Sequence, residues 1–255
     1  MRTTLRAATL ATTAFLLANG AHAFGLDKLV KGAEVGQQAL QAATLSDADV
    51  KAVADAACKE SDAESKIASD KSKYGKRMAA IAKKMGNDIK GQPVTYKVYE
   101  DSEVNAWAMA NGCIRVYSGL MDLMSDDEVI GVIGHELGHV ALGHSKKAMQ
   151  MAYATAAARN AAGSFGGKGV SDLSKSDLGA ITENLINAQF SQSQELDSDN
   201  FAYDLLTEKK LNRAALASAF RKLEKLDGGQ HSIMSSHPAS ADRAKNIDTR
   251  LASGK

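Results

Sequence analysis

The chain is poor in residues that break helices or build aromatic cores: two prolines, one tryptophan and 5% aromatic residues among 255. So little proline, beside abundant alanine, excludes a turn-rich all-β design and favours helices. Charge of one sign is missing too, with 31 Lys and Arg against 30 Asp and Glu. That balance argues against a nucleic-acid binder or a polybasic membrane surface. Beyond the N-terminus no stretch is apolar for long enough to span a bilayer. What remains, 44% hydrophobic and 24% charged, is the composition of a soluble globular protein with room for one sizeable domain and a helical arm.

Residues 1–23 read as a cleaved secretory signal. Arg2 and Arg6 supply the positive start, Ala7 to Ala18 the apolar stretch, and Ala21-His-Ala23 a small-x-small cleavage site before Phe24. The rival reading, a retained anchor, suffers from a stretch that is short and rich in alanine and threonine. Removal leaves 29 basic residues against 30 acidic ones and places the mature protein in an exported, oxidising compartment, the periplasm. Cys58 and Cys113 are the only cysteines. In that compartment a pair with no third competitor reads as a disulfide, and its number and spacing do not suit a zinc–thiolate site.

Residues 24–74 read as an N-terminal helical and linker segment, with Ser46-Asp-Ala-Asp49 opening a helix. Residues 75–255 form the main domain. Its β region starts at Val94-Thr-Tyr-Lys-Val-Tyr99, where Val94, Tyr96 and Val98 share one face. Asn105-Ala106-Trp107-Ala108-Met109 and Cys113 to Tyr117 read as two further strands joined through Asn111-Gly112, giving a small antiparallel sheet. The bland reading of this hairpin is structural. The functional one makes the strand 105–109 an edge to which an extended peptide adds by main-chain hydrogen bonds. Gly163 to Gly169 reads as a loop, either a lid or a linker.

The most informative stretch is Val129-Ile-Gly-Val-Ile-Gly-His-Glu-Leu-Gly-His-Val-Ala-Leu-Gly-His144. His135-Glu136-Leu137-Gly138-His139 spells H-E-x-x-H, and Ser125-Asp-Asp-Glu128 fits a capping box for its helix. His139 lies about 40° round the helix from His135, so both rings can reach one ion. Glu136 falls beside that ion rather than on it, where it can take a proton from water. Gly131, Gly134 and Gly138 make a stripe that suggests another backbone passing close by. The bland alternative is a helix with two partly exposed histidines, but the flanks are uncharged.

A catalytic zinc needs a third protein ligand and an open position. Glu195, opening a helix that runs to Leu206, suits that role, and Asp199 one turn on can fix the tautomer of a ligating histidine. Asp197, the competitor, points about 200° away from Glu195 on the wheel. Acidic residues near a helix start are otherwise explained by its dipole. His144 falls on the apolar side of the wheel and reads as a core or helix-end residue; His231 reads as exposed. His237-Pro238, with Arg243 after it, offers an oxyanion donor.

These residues resemble the zinc metalloproteases related to HtpX and to the CAAX prenyl proteases, and most of all a small periplasmic branch of them. The resemblance runs from about residue 45 to 250. It rests on Gly91-Gln-Pro-Val-Thr-Tyr-Lys-Val-Tyr99, on Ala108 to Met121, on the H-E-x-x-H helix and on Tyr203-Asp-Leu-Leu206. A Glu-x-x-x-Asp element matches Glu195 and Asp199, and a His-Pro-x-x-x-x-Arg element matches residues 237–243. It implies a mainly α fold with a small sheet, of the gluzincin type, with one zinc on His135, His139 and Glu195 and Glu136 as base. It also implies that His237 approaches the site, as oxyanion donor or inhibitory fourth ligand. Two departures stand out. The branch carries a lipoprotein signal that this chain lacks, and its usual Glu-x-Glu-Ala-Asp reads Glu-Leu-Asp-Ser-Asp here.

The expected function is a zinc endopeptidase of the periplasm acting on misfolded or envelope polypeptides, with an outer-membrane or envelope protein as a partner. The alternative is a non-enzymatic metal-bound envelope chaperone or scaffold, which a closed fourth metal position would favour. A hydrolase of non-peptide substrates is a weaker third reading.

Overall fold

Helices begin where serines stand. In the computed structural model, which describes residues 45–160, 173–226, 233–237 and 241–254, Ser46 caps α1 (Asp47–Glu64) and Ser72 caps α2 (Lys73–Met85). Each serine side chain accepts from a first-turn N–H that has no partner within its own helix. A short ribbon, β1 (Asp88–Ile89) with β2 (Gln92–Pro93), leads to β3 (Thr95–Tyr99), β4 (Ala106–Ala108) and β5 (Cys113–Tyr117). After α3 (Ser118–Leu123), Ser125 and Glu128 form the expected capping box of α4 (Asp126–Ala141). The remainder is helical: α5 (His144–Asn160), α6 (Lys175–Ile186), α7 (Gln192–Glu208), α8 (Ala214–Glu224), α9 (Ile233–Ser236) and α10 (Ala241–Ser253). This is the mainly α class with small sheets that the sequence suggests. The signal, the loop 163–169, His231 and Pro238 lie outside the described residues.

The sheet corrects one expectation. Strand order is β3-β5-β4; β4 pairs antiparallel with β5, as the Asn-Gly turn requires, but β3 pairs parallel with β5. The physical reason is burial. Ile114 and Val116 are fully buried on one face, and Cys113 and Arg115 on the other, so β5 takes the centre. The chain from β3 must then cross to the far edge before the hairpin brings it back between its neighbours.

The sheet separates two cores. Val98, Ala106, Ala108, Ile114 and Val116 face α4 and the larger core. Tyr99, Trp107 and Cys113 face the other way, into a core shared with α1, α5 and α6. Two links tie α1 to that face. Cys58 and Cys113 form the disulfide, and Asp62 takes a paired contact from buried Arg115, Nε at 2.7 Å and Nη2 at 2.9 Å.

The glycine stripe of α4 has the neighbour it suggests. A Cβ on Gly138 would lie 2.8 Å from the Ser198 Cα of α7, and one on Gly131 3.1 Å from the Leu216 Cα of α8. Backbones at that separation bring donors from α4 and α7 to one point. At its other end α4 stops at Ala141, and Gly143 (φ +75°) turns the chain so that α5 starts beside it.

Candidate metal centre

His135, His139, Glu195 and His237 each offer an atom to a group lying within 4.8 Å, and all four are buried. His139 Nε2 stands 3.0 Å from His135 Nε2 and 3.3 Å from Glu195 Oε1. His237 Nδ1 stands 3.1 Å from His135 Nε2 and 3.0 Å from Glu195 Oε1. Ligands 2.0–2.1 Å from a tetrahedral zinc sit about 3.3 Å from one another. The donors are therefore spaced as the corners of such a site. Their chemistry agrees: three imidazoles and one carboxylate suit zinc and its transition-metal neighbours, whereas calcium and magnesium need oxygen.

Around the donors lies a layer that fixes them. His135 Nδ1 is 2.8 Å from Asp199 Oδ1, where its N–H donates, leaving Nε2 as the free lone pair. Arg243 holds that carboxylate from behind through Nε at 2.7 Å and Nη2 at 2.6 Å, and its Nη1 lies 2.6 Å from Glu195 Oε2. Burial alone would raise both carboxyls. Hydrogen bonds from His139 and His237 hold Glu195 far below the usual range, and those from Arg243 and His135 hold Asp199 below it. Burial drives His139 down to about 2, so its ring is neutral, as a metal ligand must be.

Glu136 behaves differently. It is 3% exposed, its Oε1 makes no hydrogen bond, and His237 Nε2 lies 3.4 Å from that atom. Burial pushes its carboxyl up, against the pull of His237 and His135. A buried carboxylate with a raised pKa, beside the donors and outside their set, is placed to accept a proton.

Two neighbours of the site go beyond the sequence expectations, and a third, His144, is the buried helix-end residue they describe. His144 opens α5, and Gly143 redirects the chain so that its Nδ1 lies 3.2 Å from His139 Nδ1. That glycine was the available signal. Phe190 covers His139 with ring centroids 3.9 Å apart, and nothing in its local sequence marks it. Arg243 was noted only through its spacing from His237, without its grip on Asp199 and Glu195. Asp197, the rejected competitor, is exposed on α7, while Glu195 and Asp199 are buried on the opposite side.

An H-E-x-x-H helix meeting a glutamate from a second helix defines a metallopeptidase of the gluzincin type. The profile of peptidase family M48 matches residues 70–251, and the chain belongs to that family. It is 50% identical over 256 residues to metalloprotease YcaL of Escherichia coli (strain K12), covering 100% of both chains. It is 56% identical to metalloprotease LoiP of the same organism over 217 residues, 85% of this chain and 86% of that one. Protease HtpX of Xylella fastidiosa (strain 9a5c) is similar over 50 residues only, at 46% identity, 18% of this chain and 17% of that one.

Proposed function

We propose that the chain is a zinc-dependent endopeptidase that works in the periplasm on misfolded or envelope polypeptides. The observation that carries this reading is the convergence of His135, His139 and Glu195 with Glu136 beside them. Those three residues would hold the ion, and Asp199 and Arg243 would keep them aimed. Zinc, when bound, polarises the scissile carbonyl and lowers the pKa of water toward about 7. Glu136 takes the proton of the attacking water and returns it to the leaving amine. Substrate is aligned by β4, which lies at one end of the strand order. Asn105 C=O and Met109 N–H bond to β5, so Ala108 between them turns its N–H and C=O outward to an added strand.

His237 fills the fourth corner of the donor set in this conformation. Hydrolysis needs that corner for water, so we assign this arrangement to a resting state from which the side chain withdraws. Removing the ring by His237→Ala then raises peptidase activity, whereas an oxyanion donor lost by the same change would lower it.

The test of the reading is casein hydrolysis with and without a chelator, in the native chain and in Glu136→Gln. Expected are chelator-sensitive cleavage, one zinc per chain in both proteins, and a loss of about 10²–10⁴-fold in the variant, the usual worth of a general base. Full activity in Glu136→Gln, or indifference to the chelator, overturns it. Binding of unfolded protein with no cleavage by either the native chain or His237→Ala favours the scaffold reading.

A further inference from the structure

On the sheet face turned away from the metal helix lies a cleft of about 370 Å³, within the size range of small-ligand sites. Tyr99, Trp107 and Tyr117 form its floor, with Tyr99 centroids 6.0 Å from Trp107 and 5.8 Å from Tyr117. Its walls come from α1 and α6. Glu60, Glu64, Glu103 and Glu183 all line it, and no lysine or arginine does. Exposed Lys175 reaches Glu60 Oε1 at 3.2 Å from outside, so the acids outnumber the cations around the cleft.

Two residues lining this space carry buried polar atoms that make no hydrogen bond of good geometry. Trp107 is 4% exposed; its indole N–H lies beside the Tyr117 phenol but makes no hydrogen bond of good geometry to it or to any other group among the described residues. Glu60 Oε1 is the other, with the Lys175 ammonium as its one close charge. A buried N–H with no well-formed hydrogen bond, on a residue lining an aromatic and acidic cleft, suits a ligand carrying an acceptor near a cation. An extended peptide with a lysine or arginine offers that combination: a main-chain carbonyl for the indole, an alkyl stem for the rings, and a charge for the glutamates.

The cleft is also in the right place. Trp107 is the middle residue of edge strand β4, and its side chain points to the cleft face. On a strand added to β4, every second side chain points to that same face. The far wall, Ile186 and Asn187, continues within three residues to Phe190, which lies on the His139 ring.

We propose that this cleft is a specificity site for a basic side chain of the substrate polypeptide, filled when the peptide adds to the β4 edge. The proposal rests on the peptidase reading for its role and on the cleft alone for its chemistry.

The only tryptophan of the chain sits in the cleft floor, so its fluorescence reports occupancy without any need for catalysis. Full-length Glu136→Gln protein is titrated with two otherwise identical ten-residue peptides, one carrying a central lysine and the other norleucine. Expected is a saturable change for the lysine peptide only, weakened by salt and unaffected by chelator. In active protein the same pair is cleaved with a lysine preference of about tenfold, or about 1.4 kcal/mol. Glu60→Gln with Glu183→Gln removes that preference, and Glu183→Lys turns it toward a glutamate peptide. Equal response to both peptides, no response to either, or a preference that survives the double variant overturns the proposal. A charge-selective response in a protein that cleaves nothing upholds the cleft and sinks the peptidase reading instead.

Discussion

Asp199 touches no metal, yet its carboxylate decides which nitrogen of His135 is free to bind one. Asp199→Asn should leave the fold in place and weaken metal binding by about 10–100-fold, measured by competition with a chromogenic chelator. Glycine on α4 acts at the same scale through distance. Gly138→Ala puts a methyl 2.8 Å from the Ser198 backbone, and overpacking of that kind costs about 1–3 kcal/mol. Gly134→Ala meets Ala202 at ordinary contact distance, its Cβ at 3.4 Å and its Cα at 3.6 Å, and gains the helix preference of alanine, so it should be near neutral or stabilising by up to about 1 kcal/mol. Urea unfolding of both variants separates a close helix contact from a general demand for glycine. The stripe was legible in sequence because its cost had to be offset by something. The contact of His144 with His139 was not, since wheel angles hold only while the helix lasts.

At the scale of elements, α4 is fixed at its start by one carboxylate. Glu128 accepts from the Ser125 N–H at 2.8 Å and from Ser218 Oγ at 2.6 Å, and Lys222 Nζ lies 2.7 Å away. Burial alone would raise its carboxyl, but these partners hold it at about 2, below the ordinary 4.5. A depressed folded-state pKa stabilises above the unfolded value and is lost as the carboxyl protonates. Glu128→Gln should therefore lower stability by about 2 kcal/mol at pH 7, or roughly 4–8 °C in Tm for a chain of this size. The gap between the two proteins should hold down to about pH 4.5 and close toward pH 2. A gap that persists at pH 2 would assign the effect to packing. Capped helices of this kind were legible because serine and the acid three residues later state where a helix starts. Strand direction was not: a period of two is the same for parallel and antiparallel neighbours, and only the Asn111-Gly112 turn carried direction.

Across the whole molecule, α1 lies outside the span matched by the family profile and is nonetheless part of the same packed unit. The disulfide closes a loop of 55 residues, which constrains the unfolded chain by about 4 kcal/mol in the chain-entropy view. Cys58→Ala with Cys113→Ala should lower the unfolding free energy by about that amount, and dithiothreitol should lower the Tm of the native chain while leaving the double variant unchanged. The pairing was legible from a count of two. The packing of α1 was not, because Arg115 and Asp62 meet across 53 residues and neither has a local pattern that announces the other.

The four donors come from α4, α7 and the end of α9, while the acidic cleft is walled by α1 and α6. Metal donors and cleft thus stand on different helices of one packed unit. Substitutions on the α1 and α6 walls can therefore reshape the cleft from the sheet's far side without touching a single donor.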